Sequence, residues 1–141
     1  MANYNGMFRT NYFKVKNPKK FTGEMEDWRG SSCDGEPIHI DDGNGKMCLY
    51  GYCTIPDKRL SREKGGPLVI DDNADFAEFI QEHLDNDVAI IQEIGYEKLR
   101  YFVGISVIVS PDKIEVIDIS NTDELIKGMG FDPGNVTAPQ Y

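Results

Sequence analysis

The chain has 141 residues and a mass of 15.9 kDa, with 40% hydrophobic and 28% charged residues, a size and composition that suit one globular domain and not two. Asp and Glu number 24 against 15 Lys and Arg, a formal net charge of -9, which disfavours tight non-specific adhesion to nucleic-acid phosphates or anionic lipid. The longest mostly apolar stretch, residues 99–109, is far shorter than the roughly 20 residues a membrane helix needs, and the opening MANYNGMFRT has no basic-then-apolar leader, so a soluble, cytoplasmic protein without membrane contact is expected.

Residues 1–6 read as a flexible polar extension, with Met1 and Met7 as alternative starts, followed by a single α+β domain over residues 7–130 and a flexible tail over 131–141. Residues 7–16 (MFRTNYFKVK) are aromatic and β-branched, the composition of a strand. Asn17 as a cap and Pro18 at the first position open a helix that aligns Phe21, Met25 and Trp28 on one face. Residues 37–41 and 46–54 form a hairpin around Asp42-Gly43-Asn44-Gly45. Residues 56–70 combine basic side chains with a Gly-Gly-Pro break and read as a mobile connection, a place for a binding loop. Asp72 or Asn73 opens a second helix with the apolar stripe Phe76, Phe79, Ile80 and Leu84, ending near Asp85-Asn86. Residues 88–93, 99–109 and 114–119 are strands, and Leu99, Tyr101, Val103, Ile105, Val107 and Val109 alternate onto one core face. Residues 120–123 then cap a short helix through Leu125, Ile126 and Met129. The order β-α-β-β-α-β-β-β-α predicts a mainly antiparallel sheet with helices on one face, a ferredoxin-like core extended by β-β-α, and an open sheet face that is half polar. Such a fold hosts many activities.

Cys33, Cys48 and Cys53 are odd in number and follow no leader, so reduced thiols are expected. With His39 they offer four zinc-ligand types, but there is no CxxC pair and the spacing fits no knuckle, so no metal or other cofactor is assigned. No P-loop, dinucleotide GxGxxG or HExxH occurs, the Asp42–Lys46 turn lacks a calcium loop's ligand pattern, and neither His39 nor His83 has a nucleophile beside it in sequence. No catalytic residue follows, and the chain reads as a non-enzymatic binding protein.

Two charge patterns point to partners. Residues 71–87 (DDNADFAEFIQEHLDND) hold seven acids and no Lys or Arg, and helical spacing puts Asp75, Glu78, Glu82 and Asp85 on one ridge. Such a ridge could enter a basic groove of a partner protein or nucleoprotein complex as phosphates do, and like charges without i,i+4 partners cost a few tenths of a kcal/mol each. Arg9, Lys14, Lys16, Lys19 and Lys20, with Lys58, Arg59, Arg62 and Lys64, form the opposing basic set. As an alternative, Arg9, Asn11, Glu93 and Arg100, with Asp118 near them, would line a ligand or nucleotide pocket on the open sheet face. Homo-oligomerisation through an exposed sheet edge or face is the third reading.

The runs FRTNYFKVKNPKKF (residues 8–21) and FAEFIQEHLDNDVAIIQEIGYEKLRYFVG (residues 76–104) resemble small accessory proteins of phages, plasmids and integrative elements. That resemblance implies a counter-defence setting, similar to anti-CRISPR proteins that inhibit a host nuclease by occupying its nucleic-acid or activation surface. It transfers no functional residue.

Overall fold

The alternation of residues 4–10 and 89–97 between apolar or capped side chains and solvated ones is the period of strands packed on one face. In the computed structural model, which describes residues 4–30, 38–62, 68–71, 75–98, 101–137 and 139, these become β1 (Tyr4–Thr10) and β8 (Ala89–Glu97). They pair antiparallel from Tyr4↔Glu97 to Thr10↔Ile91 at the centre of a seven-stranded sheet. On one side β8 continues to β9 (Tyr101–Val109) and β10 (Ile114–Asp118). On the other, β1 meets β5 (Lys46–Gly51), which hairpins with β4 (His39–Gly43). The hairpin turns at Asn44 (φ 53°) and Gly45 (φ 78°), a pair that tolerates the left-handed region a two-residue turn requires.

The predicted strand over residues 7–16 is present but broken. Its second part, β2 (Phe13–Lys14), also pairs with β5, yet the register slips by one residue between Arg9↔Tyr50 and Phe13↔Met47. That slip is a bulge at Asn11-Tyr12. The Thr10 hydroxyl accepts the Leu49 N–H at 2.9 Å in place of a ladder bond. Asn11 is a sheet clamp: its side chain donates to the Val88 carbonyl and accepts from the Ile90 N–H.

Helix α1 (Pro18–Met25) starts as expected, with the Asn17 side chain accepting the Lys20 N–H, but stops at Met25. Trp28 passes into β3 (Trp28–Arg29), which pairs with β6 (Lys58–Arg62), and β6 with β7 (Leu68–Asp71). The mobile connection expected over residues 56–70 is therefore largely a second, three-stranded sheet. Helix α2 (Phe76–His83) is shorter than predicted at both ends. Phe21 and Met25 of α1, Trp28, and Phe76, Phe79 and Ile80 of α2 close over Phe8, Phe13, Leu49, Ile91 and Val109 of the large sheet in one core. The Trp28 ring lies 5.1 Å from Phe76 and 5.2 Å from Phe79, edge-on and tilted.

The architecture is α+β with a mainly antiparallel sheet, but strands added by the bulge and the second sheet keep it from reducing to the plain ferredoxin-like arrangement with two strands appended at one edge. The terminal segments also differ from expectation. Residues 4–6 are not an extension but the start of β1, and residues 131–137 continue from α3 (Asp123–Gly128) through a 3-10 turn at Pro133–Asn135 capped by Asp132. The short helix expected through Leu125, Ile126 and Met129 is present as α3, but none of it is buried, and Leu125 and Met129 face outward. No described helix is long and apolar enough to cross a membrane.

Candidate functional site

The helices cover one face of the large sheet, here called inner, and leave the other open. On the open face of β1 and β8 stand Met7, Ile94 and Tyr96, joined by Phe102 of β9 and by Tyr52 just after β5. Tyr52 is 78% exposed, Ile94 60% and Phe102 57%, unusual for large apolar groups that lie side by side. With the backbone of Gly6 and Gly95 they line a shallow groove of about 430 Å³. Ile119, which follows β10, extends the surface: it lies over Gly104, where an added Cβ would overlap its side chain. Phe102 and Ile119 also line a neighbouring cavity of about 440 Å³ against Ile126, Pro133 and Val136. Farther along the open face the character turns polar. The Arg9 guanidinium sits over the Tyr50 ring at 5.3 Å, His39 stacks on the same ring, and Gln92 donates to the Ser106 hydroxyl at 2.9 Å.

The inner face of the same strands is buried and carries carboxylates. Glu93 (9% exposed) accepts from the Tyr4 hydroxyl at 2.7 Å and from the Ile55 N–H at 2.7 Å, so both its oxygens are engaged. Glu97 (7% exposed) accepts from the Tyr101 hydroxyl at 2.6 Å. Tyr4 reaches Glu93 because its ring lies across Gly6 and Gly95, which face each other in the register. Burial first, and then the bond to Glu93 and its charge, raise the Tyr4 pKa well above the usual tyrosine range. Tyr101 is raised by its bond to Glu97.

This placement separates the pocket predicted from Arg9, Asn11, Glu93 and Arg100. Arg9 and Glu93 are on opposite faces, because the register partner of Arg9 is Gln92. Asn11 is spent on the bulge, and Arg100 lies outside the described residues. Asp118 accepts from the N–H and hydroxyl of Ser120, bonds that lower its pKa. The face expected to be half polar does have its polar half, but the other half is apolar and aromatic, which sequence reading missed. The signal was present in residues 91–97: Ile91, Glu93, Gly95 and Glu97 alternate with Gln92, Ile94 and Tyr96, and the strand runs four residues past its expected end.

The acidic ridge is also dispersed. Asp75 is the cap of α2, its side chain accepting the Glu78 N–H. Asp85 lies beyond the helix and pairs with Lys14 at 3.6 Å. Only Glu78 and Glu82 stand exposed on the helix itself. Asp87 pairs with Lys46 at 3.7 Å and accepts the N–H groups of Val88 and Lys14, which lower its pKa. The basic set does not converge either, for Arg59 covers Trp28 and Phe79 in the core while Arg9 lies on the open face. His83 is buried against Phe21 and Phe79, with Nε2 2.6 Å from the Glu24 carboxylate. With Lys16, Asn17, Lys20 and Glu82 this pair borders a cavity of about 360 Å³.

Protein-family models, curated proteins and solved structures were all compared with the chain. None of them matches it. The site is therefore defined by its own residues. Of the four zinc-ligand types noted in the sequence, His39 is stacked on Tyr50, and Cys48 is buried, donating to the Thr10 carbonyl. Cys53 is disulfide-bonded, against the expectation of reduced thiols, whereas Cys48 is free as expected. Cys53 fits beside Gly30 and Gly51, where a further side chain would crowd it. Cys33 lies outside the described residues. Among the described residues no group of three or more His, Cys, Asp or Glu side chains could hold a metal ion.

Proposed function

We propose that this chain is a non-enzymatic binding protein that works through the open face of its large sheet, at the apolar end formed by Met7, Tyr52, Ile94, Tyr96 and Phe102. The observation that carries this reading is the contiguous exposure of those five side chains beside an otherwise well-packed core. Met, Tyr and Phe are the residue types that concentrate at the centre of protein interfaces. The buried titratable groups are held in structural pairs: Glu93 by Tyr4 and Ile55, Glu97 by Tyr101, His83 by Glu24. The path β8-β1-β5-β4, with α1 and α2 on one face, favours a ferredoxin-like reading of the sheet's centre.

The resemblance to mobile-element accessory proteins supplies the setting, an inhibitor of a host nucleic-acid-directed defence complex. Within that setting the dispersal of Asp75 and Asp85 into capping and pairing weighs against phosphate mimicry by a four-carboxylate ridge. The test is site-specific photo-cross-linking in a lysate of a host strain, with benzoylphenylalanine placed at Ile94 in one version and at Glu82 in another. Capture of a polypeptide, whether a second copy or a host protein, is expected from position 94 and not from position 82. Capture from position 82 alone would restore the acidic helix as the contact surface and end this reading.

A small-ligand function retains one specific feature, the cavity bordered by Lys16, Lys20 and His83. Thermal-shift screening against inorganic phosphate and linear and cyclic nucleotides tests it, because a ligand at 100-fold its Kd adds about 2.7 kcal/mol to stability.

A further inference from the structure

We infer that the occupant of the open sheet face is a second copy of this chain, packed face to face across the apolar end of the sheet into an isologous dimer. The inference rests on the proposed role of that face as the contact surface and names its partner.

Area is the first argument. At roughly 200 Å² for a fully exposed large side chain, the exposed fractions of Met7, Tyr52, Ile94, Tyr96 and Phe102 leave on the order of 600 Å² per copy. Two copies then bury about 1,200 Å², which reaches the lower bound of a stable protein interface. Ile119 and Ile117, the latter on the open face of β10 opposite Ser106, add to the same surface and are more than half exposed. The total is more than the contiguous apolar patch a monomer ordinarily leaves open.

Charge is the second. The five residues and the two isoleucines carry no charged group, in a chain whose net charge is -9. Two copies repel at long range, and this neutral surface is one on which they can meet without placing a buried unpaired carboxylate at the seam. Shape is the third argument. The groove is shallow and is built from register-matched residues of β1, β8 and β9, so it presents the interdigitating relief with which sheets pack face to face. A twofold axis through such a surface makes it its own complement. The polar row of Arg9, Gln92 and Ser106 then falls at the rim, where interfaces are ordinarily polar. Helix α2 covers the opposite face of the sheet, so Glu78 and Glu82 stay accessible in both copies.

The experiment is sedimentation equilibrium of the purified full-length chain from low micromolar to several hundred micromolar, for the wild type, Ile94→Asp and Phe102→Asp. The wild type is expected to approach twice the monomer mass. Each variant should raise the dimer Kd by more than about tenfold with an unchanged far-ultraviolet circular dichroism spectrum. If either Asp variant fails to fold, the double variant Tyr52→Ser, Tyr96→Ser takes its place, since both side chains are exposed and neither belongs to the core cluster. Added salt should tighten the wild-type dimer by screening the repulsion between acidic chains. A monomer at every concentration overturns the inference, as does a dimer untouched by these variants. A wild-type monomer that still cross-links a different polypeptide from position 94 refutes self-association while leaving the open face as the binding surface, whereas no capture from position 94 refutes both.

Discussion

Strand β8 buries Glu93 and Glu97 and exposes Ile94 and Tyr96, the reverse of what hydropathy alone would assign to its two faces. Along the first half of the strand the usual rule holds, because Ala89 and Ile91 lie under the helices. Past Ile91 the inner face is covered by Tyr4, Ile55 and Tyr101, whose hydroxyls and N–H groups supply the hydrogen bonds a buried carboxylate needs. Among the described residues no element covers the outer face of the same strand, and its apolar groups stay open. The difference between the two faces is one of available cover, and it separates the part of the sheet that holds the fold from the part free to bind.

The contrast is most sharply broken at the covered end of the sheet. Phe8 is fully buried beneath the helices, so Phe8→Ala should cost about 3–5 kcal/mol, read from the urea midpoint at constant m. Next come the inner carboxylates. Glu93→Ala leaves the Tyr4 hydroxyl and the Ile55 N–H without their acceptor, a loss of about 1–3 kcal/mol. Gly95→Val should cost a comparable amount by driving the Tyr4 ring off its seat on Gly6 and Gly95; an unchanged midpoint would show that the ring does not rest there.

Titration probes the same inner pair without mutation. The folded chain holds the Tyr4 proton more tightly than the unfolded chain, whose tyrosines titrate near 10. The Tyr4 contribution is therefore complete below that pH and is lost as pH rises above it toward the folded value, and Tyr4→Phe should flatten this part of the stability curve. Asp87 acts in the opposite sense. Its lowered pKa stabilises the fold above the ordinary carboxylate value near 3.8 and ceases to do so as pH falls through the folded value, a slope that Asp87→Asn should reduce. The smallest effect belongs to the open face: Ile94→Asp should move stability by no more than about 0.5 kcal/mol while raising the dimer Kd by more than about tenfold. A large loss of stability there would mean that the face is covered within the chain itself.

Short-range chemistry made much of this protein legible from its residues. Asn44-Gly45 could turn a hairpin, Asn17-Pro18 could open a helix, and the alternation from Tyr101 to Val109 could form a half-buried strand, and each does so. These signals are decided within a few residues by φ preference, by side-chain capping and by period. Tertiary structure decided the rest. Asn11 reads as a polar ligand until the bulge turns it onto β8, and residues 56–70 read as a mobile link until β3 pairs with Lys58 and Arg59 and β6 pairs with β7. The carboxylates at Asp75 and Asp85 form a ridge only on a helix that runs through both, and the chain leaves that helix at Leu84 to pair with Val15. The apolar half of the open face depends on which side of the sheet the helices cover. A sequence period marks two faces and cannot say which will be buried, because burial is a property of the elements that arrive from elsewhere in the chain.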